Sequence, residues 1–107
     1  MKIGFGCDHA AIDLKNELIE YMTEKGYECV YYGTGYDENG EIIKCDYPNK
    51  GREVGEAVVR KDVDYGVLMC GTGIGISVAA NKVPGVIAAV CSEPYSAKLT
   101  KQHNNAN

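Results

Sequence analysis

The chain has 107 residues, of which 45% are hydrophobic, with a net charge of −4 and five cysteines. That length holds one domain with a single core, and the ordinary apolar content excludes a disordered chain. The acidic balance argues against nucleic acid or an anionic membrane surface as the main partner. No apolar run approaches the roughly 18 residues that a membrane span needs.

The first residues, MKIGFGCDH, read as an immediate strand and not as a signal peptide. Cys7, Cys29, Cys45, Cys70 and Cys91 are widely spaced, with no CxxC pair and no zinc-type Cys/His cluster. The expectation is free thiols in a reducing cytoplasm and no metal site.

In chain order, Ile3 to Cys7 is a buried strand. Residues 11–25 carry Leu14, Leu18, Ile19 and Met22 as a helical apolar stripe, with Gly26 placed to close the helix. Cys29 to Tyr32 form a second strand that ends at Gly33-Thr34-Gly35. The polar, glycine-bearing stretch YDENGEIIKCDYP is a surface loop or small hairpin. A second helix runs from Pro48 to about Lys61, with Val54, Ala57 and Val58 inward. Tyr65 to Cys70 are the third strand, and residues 75–82 a short helix. Pro84-Gly85 mark a turn before a fourth strand, Val86 to Cys91. Ser92 is the expected cap of a helix that starts at Glu93-Pro94.

Strands that alternate with helices at this spacing predict a parallel sheet with right-handed crossovers, an α/β three-layer sandwich. Ligands collect at the carboxyl ends of such strands. Those ends carry Cys7-Asp8-His9, Gly33-Thr34-Gly35, Cys70 with its loop, and Cys91-Ser92. Cys7 and Cys91 lack a glycine cradle and read as packing residues.

The stretch YGVLMCGTGIGIS over residues 65–77 is the richest in chemistry. Glycines at Gly71, Gly73 and Gly75 let consecutive backbone N–H groups converge on one point, and a helix start there adds partial positive charge. Oriented amide dipoles favour the thiolate form of a thiol at the lip of such a loop. A base beside an anion hole is equipment for proton removal next to a carbonyl. The loop is not a dinucleotide fingerprint and not a Cys-x5-Arg phosphatase loop, because Ile76 stands where glycine or arginine is required. It is not a Walker loop, since no Gly-Lys-Ser/Thr follows. A flavodoxin-like module with FMN in the loop is a weaker reading, and it predicts a yellow protein. Asp8 and His9 either cap the next helix or hold sugar hydroxyls, and His103-Asn104 lie just beyond the last helix.

GCDHAAIDLK, the DYP at Asp46-Pro48, CGTGIGISVAANKVPG and CSEPYSAKLTKQHNNAN together resemble type B ribose-5-phosphate isomerase. That is one branch of a family that also holds galactose-6-phosphate and allose-6-phosphate isomerases. The resemblance spans essentially the whole chain. It implies an aldose–ketose isomerase without metal or cofactor, on a Rossmann-like fold, working in the pentose phosphate pathway as a cytoplasmic homodimer with sites between subunits. Its ligand is a small sugar phosphate. By position, Cys70 is the base that moves a proton between C1 and C2 through a cis-enediolate, and His103 protonates the ring oxygen. Asp8 and His9 contact substrate, and Gly71, Gly73, Ile74 and Gly75 bind the enediolate oxygens. Asn104 holds a sugar hydroxyl, Thr72 sits close to the base and Tyr47 at the pocket wall.

The chain departs from the family at Asn105, in place of an acid, at Asn49, and in a longer loop before Cys45. Family members also continue beyond this end, with a fifth strand, terminal helices and the arginines that bind the phosphate. Residues 1–107 are thus expected to form a single isomerase domain without that region, with Lys98 and Lys101 as the phosphate candidates left. The competing expectation is an inactive truncated paralogue that binds sugar phosphates or pairs with a full-length subunit.

Overall fold

Along the first strand, Ile3, Phe5 and Cys7 alternate with Gly4 and Gly6, and this alternation decides how the layers stack. The computed structural model of the chain describes residues 1–33, 38–41 and 47–107, with Tyr47 through its backbone alone. Its elements are β1 (Lys2–Cys7), α1 (Ile12–Glu24), β2 (Glu28–Gly33), α2 (Tyr47–Val59), β3 (Tyr65–Met69), α3 (Ile74–Asn81) and α4 (Pro94–Asn104), with a 3-10 turn at His9–Ala11. The three strands form one parallel sheet in the order β2-β1-β3, with Ile3 opposite both Cys29 and Tyr65. The predicted endings at Thr34 and Gly35, most of the loop that follows, and the Tyr47 side chain lie outside the described residues.

On one face of the sheet Ile3, Phe5 and Cys7 join Ala11, Ile12 and Met69, packed by Leu18, Ile19 and Met22 of α1. On the other, Ala57, Val58 and Val63 pack against Val30 and Tyr32. Phe5 is 1% exposed; full burial of such a side chain stabilises by about 1.5–3 kcal/mol. The glycines on the second face bring α2 close. A Cβ at Gly6 would stand 2.7 Å from Val54 Cγ2, and one at Gly66 would stand 2.8 Å from Val54 Cγ1. Helices on both faces of a parallel sheet give the expected Rossmann-like α/β sandwich.

Two expectations fail in an instructive way. Leu14 points outward and is 51% exposed, while Lys15 is buried. The phase of α1 is set by Ile12, and Lys15 falls three residues later on the same face. Its stem packs inward and its ammonium lies 3.8 Å from the centroid of the Tyr31 ring. The second failure is the fourth strand. Val86 to Cys91 forms no ladder, so the sheet has three strands among the described residues. The Asn81 side chain closes both backbone groups of Ala88 at 2.8 Å. On the other side a single residue, Asn107, meets Ile87. A strand needs a neighbour of its own length, and here it has one residue.

The cap of α4 also moves by one position. Glu93, not Ser92, caps the helix, and its carboxylate accepts from Ser96 N–H at 3.0 Å. Hydrogen bonding from the Ser96 side chain, then from its backbone, holds Glu93 below the usual carboxylate range. This contribution to stability is present above the ordinary carboxylate range and is lost as pH falls through the lowered value. Glu93→Gln should therefore show a smaller loss of α4 helicity than the parent between neutral and strongly acid pH, read by circular dichroism. Gly6→Ala should destabilise the fold by about 1–3 kcal/mol in urea denaturation, since a methyl there overpacks Val54 and Leu68.

Candidate active site

Two strand ends meet on the carboxyl edge of the sheet. Beyond β1, Asp8 donates its backbone N–H to the Met69 carbonyl at 3.2 Å, which fastens the start of one site loop to the residue before Cys70. The Asp8 carboxylate caps the 3-10 turn through Ala10 N–H at 2.9 Å. His9 follows, exposed, on the same edge. Both residues therefore stand beside the glycine loop, and capping accounts for one oxygen of Asp8 only.

The loop itself is compact. Gly73 takes a φ of +79°, a left-handed conformation that favours glycine, and α3 begins at the next residue. That turn brings Gly73 N–H to the half-buried Cys70 sulfur, 3.2 Å away. The Thr72 hydroxyl oxygen accepts from Ile74 N–H at 3.2 Å. Among the described residues, the N–H groups of Gly71, Thr72 and Gly75 have no acceptor in the chain. They are the donors left for an external oxyanion, at the positive end of α3. Of the three glycines, Gly73 is the one whose amide already serves the sulfur. A Cβ at Gly71 would meet nothing within 4 Å, so the loop is open to solvent there.

α3 is held in place from behind. Ile76 is fully buried, and a Cβ at Gly51 would lie 2.7 Å from the Ile76 carbonyl oxygen. The backbones of α2 and α3 thus touch, and the N-terminus of α3 is fixed over the end of β3. Its outer face is apolar and bare: Ile74 is 59% and Val78 51% exposed.

His103 and Asn104 are elsewhere. They form the last turn of α4, where the Lys101 ammonium lies 4.7 Å from the Tyr65 ring centroid and its Nζ donates to Asn105 at 2.8 Å. Asn107 then accepts from Gly66 N–H at 2.9 Å. This is the amino end of β3, roughly 16 Å from Cys70 at about 3.3 Å per residue. Within one chain His103 and Asn104 do not share the site with Cys70. Within one chain, His9 stands beside the glycine loop and His103 does not. Lys101 is committed at the far edge, and Lys98 is exposed on α4.

The thiols divide as well. Cys7 is fully buried as a packing residue, and its sulfur lies 3.5 Å from the Tyr31 hydroxyl. Cys91 is exposed, against the expectation that it packs. The four described cysteines are free thiols. What sequence reading missed is the pairing of buried Lys15 with half-buried Tyr31 near the β1 and β2 ends. Its signal was the spacing of Lys15 from Ile12, which puts a cation on the inner face of α1.

Two glycines of the loop should respond differently to substitution. Gly73→Ala should cost about 1–2 kcal/mol, because a non-glycine residue must take the left-handed conformation. Gly71→Ala should stay within about 0.5 kcal/mol of the parent. Urea denaturation of the two variants checks the pair.

The profile of the Ribose/Galactose Isomerase family matches residues 3–107. The chain is 49% identical over 106 residues to ribose-5-phosphate isomerase B of Escherichia coli, a match that covers 99% of this chain and 68% of that one. It is 40% identical over 107 residues to the galactose-6-phosphate isomerase subunit LacB of Clostridium acetobutylicum, covering 100% of this chain and 59% of the relative. Among solved structures, ribose-5-phosphate isomerase B of Clostridium thermocellum superposes with a TM-score of 0.91 at 47% identity, over 100% of this chain and 69% of that one. With matches of this extent in both sequence and fold, the chain belongs to the ribose/galactose isomerase family.

Proposed function

We propose that the chain is a sugar-phosphate isomerase that interconverts ribose 5-phosphate and ribulose 5-phosphate, a reaction of the pentose phosphate pathway. The observation that carries this reading is the Cys70 sulfur, held at 3.2 Å by Gly73 N–H beside three uncommitted amides. Similarity to ribose-5-phosphate isomerase B supports the pentose substrate.

In the proposed reaction Cys70, as thiolate, removes the C2 proton of the open-chain aldose. The electron pair moves into a C1–C2 double bond, and the carbonyl oxygen becomes the oxyanion of a cis-enediolate. The N–H groups of Gly71, Thr72 and Gly75 stabilise that charge. The proton of the C2 hydroxyl passes to the C1 oxyanion, the C2–O bond becomes the new carbonyl, and return of the carbon-bound proton to C1 completes the change, so that C1 is reduced and C2 oxidised within one molecule. Asp8 and His9 hold sugar hydroxyls, and the Thr72 hydroxyl flanks the base. Ile74, whose N–H is taken by Thr72, offers its exposed side chain at the lip of the site. Tyr47 is assigned to the pocket wall. Each role falls to a group of the protein itself, which supports a reaction without metal or cofactor. The free thiols fit a reducing cytoplasm.

Ring opening needs an acid, and the position of His103 at the far edge supports a second copy as its source. A homodimer that covers the bare apolar face of Ile74 and Val78 would carry its own His103 and Asn104 to the site. The similarity to LacB supports one alternative, a 6-phosphohexose substrate. A substrate panel of ribose, allose and galactose phosphates separates the two.

Cys70→Ala and His103→Ala should each lower turnover of ribose 5-phosphate by about 10²–10⁴-fold. An equal mixture of the two variants, unfolded and refolded together, should recover about a quarter of the parent rate, since half of the dimers then carry one intact site. A mixture no more active than its components would contradict the shared site. A parent chain that turns over none of the panel at millimolar concentration would contradict the isomerase reading and leave the inactive paralogue.

A further inference from the structure

A side chain makes the last backbone anchor of the 86–91 segment. Asn81, the final residue of α3, donates from Nδ2 to the Ala88 carbonyl and accepts at Oδ1 from Ala88 N–H, both at 2.8 Å. A primary amide carries donor and acceptor side by side, so it can serve both backbone groups of one residue. In a sheet that exchange is made by the residue directly opposite in an antiparallel pair. Here the end of a helix makes it. Among the described residues, no backbone-to-backbone hydrogen bond holds positions 89–92. The path of the chain just beyond Ala88 is therefore set by the Asn81 pair and by what Val90 touches.

Val90 lies against the glycine loop. Its Cγ1 would stand 3.4 Å from a Cβ placed on Gly73, so the two residues pack together. Val90 is 48% exposed, and no core pocket fixes it instead. Gly73 is the residue whose N–H donates to the Cys70 sulfur at 3.2 Å, and it holds its φ of +79° as the cap of α3. These contacts close a ring. α3 leads from Gly73 to Asn81, Asn81 holds Ala88, and the segment then carries Val90 back to Gly73. A glycine backbone moves more freely than any other, so a neighbour packed on Gly73 limits where its N–H points.

We propose that Asn81 is a positioning residue for Cys70, which acts through Ala88 and Val90 on the Gly73 amide. The catalytic use of that amide rests on the isomerase reading; the brace does not. Asn81 stands at the far end of α3, roughly 12 Å from Gly73 at about 1.5 Å per residue, so its effect on the sulfur is indirect. A group that takes a proton from carbon must be held in one geometry, and a misplacement of about 1 Å slows such a step by about 10²-fold. The Gly73 N–H fixes where the sulfur sits, and the ring fixes Gly73. Only a side chain with both a donor and an acceptor at this spacing closes the ring.

The test measures amide hydrogen exchange by NMR, and turnover of ribose 5-phosphate, in the parent, Asn81→Ala, Val90→Ala and the double variant. Asn81→Ala should speed exchange at Gly73 by about tenfold. Val90→Ala, at a half-exposed position, should do the same and leave Ala88 as protected as in the parent. The double variant should be no faster at Gly73 than either single one, since both substitutions cut one path. Phe5 and Val67, inside the sheet, should exchange as in the parent throughout. Each variant should lower kcat by about tenfold with KM little changed, because the base is displaced and the binding groups are not. Unchanged exchange at Gly73 in Asn81→Ala, or a rise shared by Phe5 and Val67, would overturn the proposal. Effects that multiply in the double variant, or a faster Gly73 amide with parental kcat, would overturn it too. Exchange is read without substrate, so a parent chain without turnover counts against the isomerase reading alone, and the exchange pattern still decides the brace.

Discussion

Backbone-to-backbone contact at glycine positions holds the site together. Gly6 and Gly66 let Val54 of α2 rest on the sheet where a side chain would block it, and Gly51 lets α2 touch the Ile76 carbonyl of α3. Through these contacts the N-terminus of α3 is pinned over the end of β3. Gly73 can then turn with positive φ and present its N–H to the Cys70 sulfur at 3.2 Å. A larger residue at Gly6 or Gly51 would lift α2 or α3, and the donors at the loop would move with them. The chemistry proposed at Cys70 thus depends on packing some distance below it.

The residues of the proposed site are divided by the geometry of a parallel sheet. Every strand ends on the same edge, so Asp8, His9 and the Cys70 loop gather there through strand direction alone. A helix that follows a strand runs back toward the opposite edge. α4, which follows the extended 86–91 segment, likewise runs back and leaves His103 and Asn104 beside the amino end of β3. The site proposed above draws on both ends of the fold, and a second copy would supply the end that one chain cannot bring to Cys70. The bare apolar face of α3, next to the glycine loop, supports that arrangement.

Much of this was legible in the sequence, for identifiable reasons. The strands at Ile3 and Tyr65 and the helices after Tyr47 and Gly73 follow from short apolar runs and helical spacing, which local pattern captures well. Asp8, His9, Cys70 and Thr72 were placed on one edge because parallel connectivity requires it. The misses are tertiary. Leu14 and Lys15 exchanged roles because buried Ile12 sets the phase of α1 and Lys15 falls on its face. Val86 to Cys91 has the composition of a strand, but a ladder needs a partner strand, and no local pattern supplies one. The place of His103 was likewise hidden, since helix propensity says nothing of the edge at which a helix ends.

The most direct test of the account follows ribose 5-phosphate by NMR in D₂O, with the parent chain and with Cys70→Ser. The parent should form ribulose 5-phosphate and wash deuterium into the carbon-bound position, while the variant, with a far weaker base in the same place, should do neither at a comparable rate. Isomerisation and exchange that persist undiminished in Cys70→Ser would remove the sulfur from the role of base and contradict the central claim.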